Sequence, residues 1–348
     1  MLVSDFHYNL PEDLIAQEPL ADRSASRMLV LDRAAGTWEH RRFSDLPEYL
    51  APADCVVLND TRVLPARLVT RRETGGRAEL LLLRPLGEDV WEALVKPARR
   101  LRPGTVLRFG ERLQATVVGP AVDGVAPVRL EYAGELLAVL EEVGLTPLPP
   151  YIHRAHQEEA VERERADHLR YQTVYAQEPG AAAAPTAGLH FTEEVLARIA
   201  ARGTAVTRLT LHVGLGTFRP VAVERVEEHR MHAEFYRVGE EAARTVNERR
   251  AAGGRCVAIG TTVARTLETV ADETGQVPAG EGWSEIFIYP GYRFRVVDRL
   301  LTNFHLPHST LLMLVSALAG RELILEAYRA AVAERYRFFS YGDCMLIL

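Results

Sequence analysis

The stretch RAELLLLRPLGEDVWEALVKPARRLRPGTVLRFGERLQATVVGPAVDGVAPVRLEY, residues 77–132, decides the architecture. It divides into short β-forming segments (AELLLL, WEALVK, TVLRF, LQATVV and APVRLEY), with Pro103-Gly104, Gly119-Pro120 and Asp123-Gly124 as turn signals and Gly75-Gly76 ahead of them. Apolar and β-branched runs punctuated so regularly predict a small antiparallel barrel or sandwich over residues 68–150.

Outward from this stretch the texture changes. After Pro150 helix and strand alternate: HFTEEVLARIAAR reads as a helix with Thr192 as N-cap and Gly203 past its end, and AVTRLTLHV as a strand. MHAEFYRV reads as a strand, EEAARTVNERRAA as a helix closed by Gly253-Gly254, and RCVAIG as a strand whose following Thr261-Thr262 open the helix VARTLETVA. IFIYP is predicted as a further strand, TLLMLVSALA as an apolar helix capped by Ser309, and ELILEAYRAAVAERY as the last long helix. The head carries strand signals of its own, MLVLD and CVVLN. The simplest layout is α/β: residues 1–67 plus 151–348 form a mixed sheet with helices, and an antiparallel β-barrel-like domain is inserted at 68–150. Three sequential domains would leave a 67-residue head with a small core.

Composition fits a globular chain of 348 residues, 47% hydrophobic and 25% charged, with a formal charge of −6. That balance gives no global support to nucleic-acid binding. The charge is uneven, however: residues 62–112 hold 12 basic and 6 acidic residues. Lys96 is the single lysine among 41 basic residues, which suggests an ammonium at a place where a planar guanidinium does not fit, or a chance survivor. Cys55, Cys256 and Cys344 lie far apart beside apolar runs, so neither a zinc site nor a disulfide framework is expected, and reduced thiols fit the cytoplasm. The N-terminus has no signal-peptide pattern and no apolar run is long enough to span a bilayer. No membrane association is expected.

Polar residues unexplained by any periodicity gather where strands end, which is where α/β folds bind ligands. In VVLNDTRVLPARL, Asp60, Arg62 and Arg67 could meet a polar ligand, or Asn59-Asp60-Thr61 could be a plain Asx turn. AAAAPTAGLHF offers small residues for close backbone approach to a ligand, with His190 just ahead of a helix. LHVGLGTFRPV presents His212 and a Gly-x-Gly that lacks the third glycine of a dinucleotide fingerprint. HRMHAEF suggests a metal through His229, His232 and Glu234, the last two on one face of a strand, but at no common metal spacing. In AIGTTVARTLE, Thr261 and Thr262 start a helix able to hold an anion, and Arg265 and Glu268 lie three apart, as in a surface ion pair. LLTNFHLPHSTLL adds Asn303 and His305, and the C-terminal SYGDCML adds Tyr341 and Asp343.

These stretches, together with DFHYNLPEDLIAQEPL, RSASRMLVLD, RYQTVYA and IFIYPGYRF, run in order along the whole chain. As a set they resemble the S-adenosylmethionine:tRNA ribosyltransferase-isomerase family of the queuosine pathway. Met28, His308 and Cys344 stand where leucine, lysine and alanine are usual in that family. The resemblance implies an α/β domain with a β-barrel insertion. It also implies transfer of the ribosyl moiety of S-adenosylmethionine to 7-aminomethyl-7-deazaguanine at the tRNA wobble position, giving epoxyqueuosine, adenine and methionine. S-adenosylmethionine is then a substrate, no cofactor or metal is needed, and a monomer is expected. A general base must take a proton from the carbon beside the sulfonium, for which His190 and His212 are candidates. Asp343, His305 or Tyr341 could assist adenine departure. Arg265 or the Thr261-Thr262 helix start suit the methionine carboxylate, and Glu268 or Asp60 its ammonium. Two other readings stay open: a metal-dependent hydrolase built on His212, His229, His232 and Glu234, and a non-catalytic RNA-binding protein.

Overall fold

The computed structural model describes residues 1–87, 89–154, 160–214 and 221–348, with residues 160–163 described by their backbone alone. Its strands, in chain order, are β1 (Arg27–Asp32), β2 (Thr37–Arg42), β3 (Cys55–Asn59), β4 (Thr61–Val63), β5 (Arg67–Arg71), β6 (Arg77–Gly87), β7 (Val90–Lys96), β8 (Val106–Phe109) and β9 (Leu113–Val117). There follow β10 (Val125–Tyr132), β11 (Glu178–Ala181), β12 (Ala205–Leu211), β13 (Glu234–Val238), β14 (Cys256–Ile259), β15 (Gly280–Ser284), β16 (Arg299–Asn303) and β17 (Cys344–Ile347). The helices are α1 (Leu136–Val143), α2 (Ala160–Arg170), α3 (Glu193–Ala201), α4 (Glu240–Ala251), α5 (Thr261–Val270), α6 (Thr310–Ala319) and α7 (Arg321–Ala333).

Nine strands form one mixed sheet in the order β15-β13-β12-β3-β14-β16-β17-β1-β2. Its centre, β12-β3-β14-β16, is parallel, and β17 enters antiparallel to β16 with Asn303 opposite Cys344. Strands of CVVLN and CVAI type, apolar at every position, are what a sheet covered on both faces requires. Alternation divides them: Cys55 and Val57 of β3 face the core shared with α4 to α7, while Val56 and Leu58 face the core shared with α3. Thr192 caps α3, its hydroxyl accepting from Val195 N at 3.2 Å, and Ser309 caps α6 likewise from Leu312 N at 3.2 Å.

Six strands form the second sheet, all antiparallel, in the order β5-β6-β7-β10-β9-β8. Its ends meet where Thr70 Oγ1 donates to Arg108 O at 2.7 Å, so the sheet curls into a nearly closed barrel around its own apolar cluster. This closure removes most of the exposed edge.

The barrel also holds a helix that the β signals did not announce: the run LLAVLEEV is α1, whose Val139 and Leu140 join its core. One local expectation is corrected. IFIYP forms no strand: the strand lies earlier, at β15, and IFIYP packs Ile288 onto the main core with its neighbours half-buried. An extended segment laid on a core alternates apolar residues just as a strand does, so periodicity alone does not separate the two.

Candidate active site

Because β3, β12, β14 and β16 run parallel, their C-terminal ends reach the same edge of the sheet. β17 runs opposite to β16, and β1 is parallel to β17, so the residues that precede these two strands arrive at that edge as well. Topology thereby gathers Asn59 to Thr61, His212, Gly260 to Thr262, Asn303 to His305, Ser26 and Tyr341 to Asp343.

On one side of this edge Asn59, fully buried, is the tie. Its Oδ1 accepts from Thr61 N at 3.1 Å and Leu211 N at 3.0 Å, and its Nδ2 donates to Leu211 O at 3.0 Å and Thr262 Oγ1 at 3.3 Å. Thr61 Oγ1 in turn meets His212 Nδ1 at 2.8 Å. The His212 ring stacks on Phe235 at 5.7 Å and lies against Gly180, where a Cβ would come within 2.6 Å of Nε2. Burial lowers the His212 pKa and so favours the neutral imidazole. Asp60 accepts from Thr210 Oγ1 at 2.7 Å, and burial raises its pKa.

On the other side His190 is clamped at both nitrogens, Nδ1 to Ser26 Oγ at 2.9 Å and Nε2 to Asn303 Oδ1 at 3.1 Å. Asn303 Nδ2 donates to Phe339 O at 2.8 Å and Ser340 O at 3.3 Å, which fixes its amide with the oxygen toward the ring. His190 Nε2 therefore carries the hydrogen and Nδ1 the lone pair. Burial pushes the pKa of His190 down to about 4. His190 and Ser26 both line a half-open cleft with Arg23, Arg170 and Tyr341. The small residues of this region serve the protein's own packing: a Cβ on Gly188 would come within 2.1 Å of the Tyr175 hydroxyl.

Several expected site residues are spent elsewhere. Asp343 accepts from Arg27 N and Arg337 N, both at 2.8 Å, so its carboxylate ties the C-terminal turn to β1. Glu268 does not pair with Arg265. It takes Arg295 N at 2.9 Å, Val296 N at 3.0 Å, Val297 N at 2.9 Å and Tyr292 OH at 3.1 Å, and so pins segment 292–297. His305 bonds Thr302 Oγ1 through Nε2 at 3.0 Å, and burial pushes its pKa down to about 3. Tyr341 OH donates to Asp167 at 3.3 Å. Arg62 pairs with Glu141 at 2.6 Å and Arg67 with Glu79 at 2.8 Å. Lys96 is exposed on the barrel, across from Glu79. Thr261 is buried at the start of α5.

Arg265 forms a buried ion pair with Glu234, whose other oxygen accepts from Gly214 N at 3.0 Å. Arg265 Nε and Nη2 are buried without a partner among the described residues. Glu234 opens β13, but His232 precedes the strand, so the shared face expected for them does not form. No group of three or more His, Cys, Asp or Glu side chains is placed to hold a metal among the described residues. The Gly-x-Gly stretch beyond Gly214 lies outside the described residues. Sequence reasoning missed Ser26, Thr210, Arg23, Arg170 and Arg337. The first two had only their place at strand ends to signal them, and the arginines were hidden in an arginine-rich composition.

Comparison with known proteins agrees with this architecture. Residues 3–347 match the family model described as Queuosine biosynthesis protein. An S-adenosylmethionine:tRNA ribosyltransferase-isomerase of Symbiobacterium thermophilum is 60% identical over 350 residues, covering 100% of both chains. One of Acetivibrio thermocellus is 54% identical over 349 residues, again covering 100% of both. Among solved structures, an S-adenosylmethionine tRNA ribosyltransferase from Thermotoga maritima shares 38% identity at a TM-score of 0.56, covering 99% of this chain and 100% of that one. No helix among the described residues is long and apolar enough to cross a membrane. A family match over nearly every residue, together with a mixed sheet and barrel of the expected kind, places the chain: it belongs to the queuosine biosynthesis protein family.

Proposed function

We propose that the protein moves the ribosyl moiety of S-adenosylmethionine onto 7-aminomethyl-7-deazaguanine in the tRNA wobble position, forms epoxyqueuosine, and releases adenine and methionine. The observation that carries this reading is the 60% identity, over the full length of both chains, to a protein named for that transfer and isomerisation. S-adenosylmethionine is consumed as a substrate, no separate cofactor takes part, and the chain works as a monomer in the cytoplasm, where its tRNA is found.

The geometry supports distinct roles for the two histidines. His190 has both nitrogens engaged, whereas His212 has one, Nδ1 on Thr61, with no partner for Nε2 among the described residues. A neutral imidazole with Nδ1–H donated to Thr61 leaves the Nε2 lone pair to accept the C5′ proton beside the sulfonium. The electron pair stays on that carbon, and the proton on Nε2 becomes available to a later leaving group. His190 acts one step removed, by holding Ser26 Oγ at the wall of the cleft. The two unpartnered nitrogens of Arg265 suit the methionine carboxylate, and Asp60 suits its ammonium.

Incubation with S-adenosylmethionine and tRNA bearing 7-aminomethyl-7-deazaguanine tests the reading. Adenine and methionine should appear in equal amounts, and the tRNA should gain the mass of the ribosyl unit. S-adenosylhomocysteine as the main product would mean methyl transfer and overturn it.

A further inference from the structure

The cleft beside His190 is walled by cations that the roles above leave unused. Arg23 and Arg170 line it, and Arg337 stands close enough that it and Arg23 both act electrostatically on the His190 ring. Main-chain carbonyls, not carboxylates, hold all three. Arg23 donates to Leu189 O at 3.2 Å and Leu169 O at 3.1 Å, Arg170 to Ala21 O at 3.3 Å and to Leu20 O, and Arg337 to Glu18 O. None of the three makes an ion pair among the described residues. Arg170 Nε and Arg337 Nη1 are buried with no partner among the described residues. Guanidinium groups taken partly out of water without a counter-ion are costly, and an anion seated between them offsets that cost.

We propose that this cleft binds a backbone phosphodiester of the RNA substrate through Arg23 and Arg170, which line it. The identity of the anion as RNA rests on the ribosyltransferase-isomerase reading; the anion site itself rests on the arginines. A phosphodiester needs only donors in a planar fork, which guanidinium groups supply. The amino-acid end of S-adenosylmethionine also brings an anion, but its ammonium requires a free carboxylate. None of the carboxylates beside the cleft is both buried and free: Asp343 takes two backbone N–H groups, Asp167 takes Arg154 at 2.7 Å through both oxygens, Asp22 takes Ser24 N at 2.8 Å and the Ser24 hydroxyl at 2.9 Å, and Glu18 is exposed. Burial lowers the pKa of Arg23 and of Arg337, and on Arg337 the Asp343 carboxylate acts in the opposite direction.

The test compares wild type with Arg23→Gln, Arg170→Gln and Arg170→Lys, measuring tRNA affinity against salt and S-adenosylmethionine affinity by calorimetry. Each glutamine variant should weaken tRNA binding roughly tenfold and reduce the log–log salt slope by about 1, while Arg170→Lys keeps the slope. Affinity for S-adenosylmethionine should stay unchanged. On the intact protein, tRNA or pyrophosphate should shield Arg23 and Arg170 from phenylglyoxal, read by peptide mass mapping, and S-adenosylmethionine should not. Shielding by S-adenosylmethionine alone, or unchanged salt slopes in both glutamine variants, would overturn the proposal. Absence of adenine release by the wild-type preparation would count against the reaction instead, and leaves the shielding by pyrophosphate as an independent measure of the anion site.

Discussion

Replacing Glu268 by glutamine separates a structural carboxylate from a substrate-binding one. Glu268 is 3% exposed and accepts four hydrogen bonds, from Arg295 N, Val296 N, Val297 N and Tyr292 OH. A carboxamide keeps one oxygen, enough for two of these donors, and turns an NH2 group toward the other two. Hydrogen bonds to a charged acceptor contribute about 1.5–3 kcal/mol each, so losing two costs roughly 3–6 kcal/mol. Against a total stability of about 5–15 kcal/mol for a typical domain, that is a large fraction. Urea denaturation followed by circular dichroism should show the midpoint falling sharply. Below the transition, calorimetry should give a nearly unchanged affinity for S-adenosylmethionine, because no oxygen of Glu268 is free to meet a ligand. A variant with wild-type stability and abolished S-adenosylmethionine binding would refute the reasoning and return Glu268 to the substrate.

His212→Gln should lower the rate of adenine release at least about a hundredfold while leaving S-adenosylmethionine affinity within a few-fold, as measured by single-turnover kinetics and calorimetry; equal loss of both would make the residue a binding group. Burial holds His190 near a pKa of about 4 and His305 near about 3, below the ordinary 6.5, so the unfolded chain takes up their protons first as pH falls. Their contribution to stability is complete above pH 6.5, erodes below it and is gone beneath the folded values; Asp60 and Asp343, raised by burial, work in the opposite sense. Urea midpoints of the His190→Gln, His305→Gln double variant should therefore vary less between pH 7 and 4 than those of the wild type. Arg99, Arg100 and Arg102 are exposed on the barrel, and replacing all three by glutamine should weaken tRNA binding and reduce its salt slope by up to about 3; an unchanged slope would remove this face from the RNA path.

The barrel and the central strands were legible because their signals are local. WEALVK, LQATVV and CVVLN carry their own periodicity, and Thr192 and Ser309 announce the helices they cap. The candidate site was legible only as polar residues at strand ends. Which of them face a ligand depended on partners hundreds of positions away: Asp343 meets Arg27 N, and His190 meets Ser26 on one side and Asn303 on the other. Glu268 and Arg265 looked like a pair at helical spacing, yet each found a better partner off the helix, segment 292–297 and Glu234 respectively. A one-dimensional pattern records which face of α5 a residue occupies but not what packs against that face.

The position of the barrel follows from the same logic. The chain enters and leaves it through one bridge, Arg67 N to Leu145 O at 3.2 Å and Leu145 N to Arg67 O at 2.8 Å. That bridge lies just beyond β4, where Thr61 contacts His212 and Leu64 N bonds Ala181 O at 3.0 Å. The segment that holds the proposed base is thus the stem from which the barrel projects. Basic residues outnumber acidic ones 12 to 6 between 62 and 112, but the stretch through β10 and α1 brings the projecting part, residues 68–150, to 11 of each. A local positive field therefore belongs to the half of the barrel where Arg99, Arg100 and Arg102 are exposed, not to the barrel as a whole. The cleft lined by Arg23 and Arg170, the proposed phosphodiester site, lies on the opposite flank of the same edge from His212. On the proposed reading, an RNA held at that cleft and at the exposed arginines of the barrel spans the sheet edge between them. The sheet edge needs only to bind the small sulfonium substrate and move its protons, while positioning of the large one is divided between two surfaces that flank it.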